Sequence, residues 1–254
     1  VRSFARPIDE LIIRLAAIDA LLLDRDDEKR HFHGLYLRQT RAIKAEIDRG
    51  GFLDAEWIEE LVIAFANLYL DALEEWERAG TSSGPWQLAF EAAGDAVIPP
   101  LRHQLIGLNA HLNFDLPRAL LAMMSDVDWA DAALIAKRHS DFAHIDSVAL
   151  RRITEEYRNL RAVESIRERT LLDHLLYPLN LITIARSLRE ARRKVWRNTE
   201  LLTHAHHQGH AELNACLRQL EQRTRAKVTE LLAPGQVILK LGVHGFGVTL
   251  SPEQ

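Results

Sequence analysis

The sequence predicts an all-α chain, a single helical domain of about eight to ten helices spanning residues 1–254. Three observations predict it. Apolar residues recur at three- and four-residue spacing through most of the chain, as on one face of a helix. Pro and Gly mark the ends of many of those stretches and nowhere form a linker that would divide the chain. With 254 residues, 47% of them hydrophobic, the chain can bury a large core, and it sits at the upper end for one domain.

Taken in order, Pro7 suits the first position of a helix, where its missing N–H has no partner to lose. Ile8, Leu11, Ile12, Leu15, Ile18 and Leu22 follow at helical spacing, to an end near Asp24. Asp24 to Arg30 reads as a charged connector. A second helix, His31 to Asp48, stops at Gly50-Gly51, which tolerate left-handed backbone. Asp54 is expected to cap a third helix, running to Arg78, by accepting first-turn N–H groups. That helix is apolar on most sides and is expected to be central. A short helix surrounds Trp86 and Phe90, and Pro99-Pro100 opens another that runs to Asn113 before Pro117 breaks or kinks it. Shorter helices follow around Leu120 and Ala132. Two long ones come next, Asp146 to Arg167 and Thr170 to His206, with Pro178 placed to kink the latter. A last helix covers Ala211 to Leu232 and stops at Pro234-Gly235. In the tail, residues 236–254, Val237, Leu239 and Leu241 alternate, as do Val248 and Leu250. This reads as a small β-hairpin or a loosely packed terminus.

The net charge of −4 gives no basic excess of the kind a nucleic-acid footprint needs. The one cysteine, Cys216, excludes an intrachain disulfide, fits a reducing compartment, and sits at an amphipathic, core-like position. No apolar run reaches the roughly 18 residues of a transmembrane segment. Val1-Arg2-Ser3-Phe4 lacks the apolar run of a signal peptide, so a cytoplasmic location is expected. A phosphate-cradling glycine loop, a nucleophile elbow, a His-Glu-x-x-His motif and paired Glu-x-x-His motifs are all absent from the sequence.

Chemistry concentrates between His103 and Pro117. On a helix, His103, Gly107, His111 and Asp115 lie four apart and form one stripe. Two imidazoles and a carboxylate on a stripe can ligate a divalent metal or relay a proton. The candidate ligands are therefore His103, His111 and Asp115, and the candidate catalytic pair is His111 with Asp115. Gly107 lets a partner helix or a ligand approach the backbone, and Asn109 and Asn113 add a second polar stripe among apolar neighbours. The competing reading is a buried, hydrogen-bonded His111–Asp115 pair that locks helix contacts. Other groups are weaker candidates. His33 and Tyr36 share a face, with Arg38 suited to hold an anion bidentately, against a solvated helix start. Asn67 and Asp71 form either a buried pair facing the His111 stripe or a surface pair. Asp141, His144 and Asp146 read as metal ligands or, preferably, as an N-cap at Asp146. The run from His204 to His210 reads as an exposed helix end rather than a metal site.

Several segments resemble one family, the domain of unknown function 5995. They are His33-Gly34-Leu35-Tyr36-Leu37 with Thr40, Gly51-Phe52-Leu53-Asp54, Phe65-Ala66-Asn67-Leu68-Tyr69, Trp86 with Ala89-Phe90, and above all Gly107 to Pro117. The resemblance covers about residues 31–196 and implies a helical bacterial protein without a named reaction. A weaker likeness joins His111, Asp115 and Pro117 to the zinc-dependent phospholipase C and P1-type nuclease group, which uses a His-x-x-x-Asp helix before a Pro. The sequence departs from that pattern where Arg118-Ala119 follows the Pro.

Two functions compete at this stage. One is a helical enzyme acting on a small molecule, either metal-dependent or using His111 as a general base oriented by Asp115. Its pocket would draw on His103, Asn109, Asn113, Asn67, Tyr36, His33 and Arg38 for binding. The other is a non-catalytic module for a small apolar ligand or a protein partner.

Overall fold

The computed structural model describes residues 6–163 and 171–250. Its helices are α1 (Pro7–Asp24), α2 (Arg30–Asp48), α3 (Ala55–Ala79), α4 (Pro85–Ala92), α5 (Pro100–Ala110), α6 (Leu116–Met123), α7 (Asp126–Ala130), α8 (Ala132–Val163), α9 (Leu171–Gln208), α10 (His210–Leu232) and α11 (Val237–His244). A π-helical turn, His111–Asp115, joins α5 to α6. Among the described residues there is no strand, and no helix is long and apolar enough to cross a membrane.

The organising element is the continuous rod of α5, the π turn and α6. It touches α2, α3, α4, α8, α9 and α10, so these helices pack around it. Its apolar side chains Leu105, Ile106, Ala110, Leu116 and Leu120 are buried against Trp57, Ile58, Leu61 and Leu70 of α3 and Val195 of α9. The π turn reconciles Pro117 with this rod. Proline cannot supply the intrahelical N–H of its position. The Leu116 N–H instead reaches back to the His111 carbonyl, the longer bond of a π turn, and Pro117 sits near the start of α6.

The boundaries of α1, α2, α3 and α10, and the end of α9, follow the sequence signals: Pro7 opens α1, and Gly80 ends α3 in left-handed backbone (φ 67°). Four expectations are corrected. The helix expected to begin at Asp146 is the second half of α8, which starts at Ala132. Its expected end at Arg167, and the next start at Thr170, lie outside the described residues. Asp146 is therefore mid-helix and caps nothing. Asp54 precedes α3 without capping it through its side chain. Asp141 of α8 instead accepts the Leu53 and Asp54 N–H groups at 2.8 and 2.6 Å.

The fourth correction is the tail. Val237–His244 is a helix, α11, and Leu241 is its buried residue. Residues 245–250 then run as an extended strap. Phe246, Val248 and Leu250 are buried, which is the alternation visible in the sequence. Side-chain amides serve the strap in place of a neighbouring strand. Asn113 Nδ2 donates to the Phe246 carbonyl at 3.1 Å and its Oδ1 accepts the Val248 N–H at 3.1 Å. Asn198 of α9 repeats the arrangement, donating to the Val248 carbonyl at 3.0 Å and accepting the Leu250 N–H at 2.9 Å. A glycine is required at 247, because a Cβ there would lie 2.6 Å from the Ala191 backbone of α9.

A candidate small-molecule site around His111

The site is built where the π turn faces α2 and α3. The first two turns of α2 supply Phe32, His33 and Tyr36, and α3 supplies Phe65 and Tyr69. Phe32 and Tyr36, like Phe65 and Tyr69, are four residues apart, so each pair projects from one helix face. They close on His111. Phe65 stacks on the imidazole with ring centroids 3.5 Å apart and planes 8° apart, and Tyr36 meets it edge-on at 4.6 Å. Phe32 stands edge-on at 5.8 Å.

His111 is paired within its own turn. Its Nδ1 lies 3.0 Å from Asp115 Oδ2, which also accepts the Trp86 indole N–H at 2.8 Å. Both side chains are buried. Burial pushes the His111 pKa below its ordinary value of 6.5, and the favourable Asp115 bond works against that shift without reversing it. The ring is thus neutral at neutral pH. With Nδ1–H donated to the carboxylate, Nε2 carries a lone pair, and this buried atom has no protein partner.

His111 also lines a cavity between α2, α3, the central rod, α8 and α9. The wall is overwhelmingly apolar: Leu61, Val62, Leu105, Leu108, Leu112 and Leu188 contribute much of it. The Tyr36 hydroxyl and the Gln39 amide nitrogen also lie at the lining, buried and without a hydrogen-bond partner. Burial raises the pKa of Tyr36, so its hydroxyl stays protonated. On the α8–α9 side the lining turns charged. Arg192 is ion-paired with Asp146 and donates to the Phe142 carbonyl at 3.0 Å. Burial lowers the Arg192 pKa and raises that of Asp146.

The structure separates the other residues singled out by sequence. His103 shares the stripe with His111, but Phe32 fills the space over Gly107 between them; a Cβ at 107 would lie 2.4 Å from Phe32. His103 instead stacks on His31 at 5.9 Å, with its Nε2 3.8 Å from Glu28. Among the described residues, no group of three or more His, Cys, Asp or Glu is arranged to hold a metal, so His103, His111 and Asp115 are not gathered as one ligand set. Asn109 and Asn113 face the strap, with Asn109 Nδ2 3.4 Å from the Phe246 carbonyl.

His33 is buried rather than part of a solvated helix start. Its Nε2 lies 2.8 Å from the Leu15 carbonyl and its Nδ1 2.9 Å from the Tyr69 hydroxyl. Arg38 does bind a carboxylate bidentately, but the carboxylate is Glu156 of α8, at 2.9 and 2.6 Å. Asn67 and Asp71 are exposed on the outer side of α3, away from the His111 stripe. His204 and His207 are at the exposed end of α9, the latter 2.7 Å from Asp126.

Sequence reasoning missed Phe65, Gln39 and the α8–α9 wall. The four-residue aromatic spacing on α2 and α3 was the available signal for the first. For the wall there was none, because periodicity does not say which helices become neighbours.

The chain matches the model of a family described as "Family of unknown function (DUF5995)" over residues 8–234, and it belongs to that family. No curated protein and no solved structure matches it.

Proposed function

We propose that this member of the DUF5995 family binds a small, largely apolar molecule in the central cavity, with a hydrogen-bond donor of that molecule reaching His111 Nε2. One observation carries the reading: an apolar cavity whose lining includes a neutral, oriented imidazole with an unpartnered lone pair. Buried polar atoms ordinarily find partners, and an apolar pocket with a few convergent polar groups is the usual form of a small-molecule site. Asp115 and Trp86 support the role by holding the imidazole in one tautomer and one orientation. Decanol and decyl methyl ether test it, because only the alcohol can donate. Decanol should raise the melting temperature, the ether should do so less, and Leu108→Trp, which fills the cavity, should abolish both effects. Equal shifts in the wild type and the filled variant, or none in either, would overturn the reading.

A second reading shares the same atoms. An imidazole oriented by a carboxylate, with its far nitrogen free, is the arrangement of a general base. In that reading His111 removes a proton from the bound molecule and Asp115 stabilises the imidazolium that forms. The observation favouring it is the pairing of the Asp115 bond with the unpartnered Nε2 on one ring.

A further inference from the structure

The apolar lining ends in an unequal set of charges. Among the described residues its charged members are Asp146, Arg152, Glu156, Arg189 and Arg192, three cations against two carboxylates. Both carboxylates are already engaged. Asp146 is paired with Arg192. Glu156 takes the bidentate fork of Arg38 and also accepts from Arg152 Nη2 at 2.9 Å. Arg38 lies just outside the lining, with Asp19 beside it and Glu155 3.7 Å from Arg152.

Three donors remain unused. Arg152 Nε is buried and has no partner, and so is the Gln39 amide nitrogen on the facing helix. Arg189 is exposed and makes no hydrogen bond or ion pair with another described residue. The antiparallel meeting of Arg192 with Asp146 sets the register of α9 on α8. Arg189, Ala149 and Arg152 all line the same cavity. Buried donors left without acceptors cost stability, and a guanidinium offers its N–H groups in a geometry matched to a carboxylate.

We propose that the molecule held in the cavity is an amphipathic monocarboxylic acid, its apolar body among the leucines and its carboxylate received by Arg152, Arg189 and Gln39. This rests on the reading of the cavity as a ligand site. Within the described lining, the excess of one cation over carboxylates suits a monoanion. One end of the ligand is thereby placed at the α8–α9 wall and the other at His111, across the cavity.

Titration calorimetry on the full chain with 10-hydroxydecanoate, which carries both the carboxylate and a donor for His111, and with decanol, which carries the donor alone, tests the proposal. Charge-assisted hydrogen bonds to the carboxylate should make 10-hydroxydecanoate bind roughly tenfold tighter than decanol. Arg189→Gln, at an exposed residue without a hydrogen bond or ion pair to another described residue, should lose most of that preference, and so should Arg152→Gln. If decanol binds and 10-hydroxydecanoate binds no tighter, or if the preference survives both substitutions, the carboxylate assignment fails while the cavity remains a ligand site. If neither compound binds, the reading of the cavity itself fails.

Discussion

Gly107 was the most instructive residue of the polar stripe. The sequence pattern left open whether its missing side chain admits a ligand or a helix, and the structure answers with the ring of Phe32. That ring parts His103 from His111 and supports the aromatic enclosure around the imidazole, so one absent Cβ decides which histidine can serve the cavity. Gly107→Ala should cost about 1–3 kcal/mol, because the new methyl must displace a buried ring in a packed interior. Denaturant unfolding reads this directly, and an unchanged midpoint would show that Phe32 yields freely. The pairing of His111 with Asp115 was legible from four-residue spacing alone. That Nε2 would be left without a partner was not, since it depends on α2 and α3 arriving with carbon rather than polar atoms.

At the scale of elements, ends were legible and neighbours were not. Pro7, Gly80 and the Pro234-Gly235 pair mark boundaries through local backbone chemistry, and those boundaries hold. Asp146 misled because a carboxylate near a helical stretch has two uses. The one it takes depends on Arg192, 46 residues away in sequence and adjacent only after α9 folds back. Val237, Leu239 and Leu241 misled similarly: their alternation coexists with the four-residue spacing that buries Leu241 in α11. Glu46 shows how one side chain ties two elements. It stands near the end of α2 and meets His144 at 2.9 Å and Arg151 at 3.0 Å on α8. The His144 bond, followed by Arg49, holds its pKa down to about 2, against an ordinary 4.5. A depressed carboxyl stabilises the fold fully above its unfolded pKa and loses that contribution as pH falls toward the folded value. The melting temperature of Glu46→Gln should therefore lie below the wild type at pH 7. The gap should close as pH drops from about 4.5 toward 2. A gap independent of pH would mean that the carboxylate charge plays no part in joining α2 to α8.

At the scale of the whole molecule, the strap completes the bundle. Phe246, Val248 and Leu250 fill space between the central rod, α9 and α10, and the amides of Asn113 and Asn198 turn two helices into a template for extended chain. Removing residues 245–254 should lower stability by at least about 3 kcal/mol, the scale of burying two or three large apolar side chains, with a further loss from the stranded amides. Chemical denaturation of the shortened chain checks this, and stability near that of the full chain would show the strap to be dispensable. The strap also gives the fold a direction in time. Asn113 leaves the ribosome well over a hundred residues before the carbonyl and N–H it serves, at sequence separations of 133 and 135. Contacts so distant in sequence close late, after the local helices have formed. Until Phe246 arrives, Asn109 and Asn113 of the central rod lack the backbone they serve, so a chain interrupted before the strap has the helices described here and still lacks the segment packed on that face. The amides of Asn113 and Asn198 are satisfied only once the strap has been made.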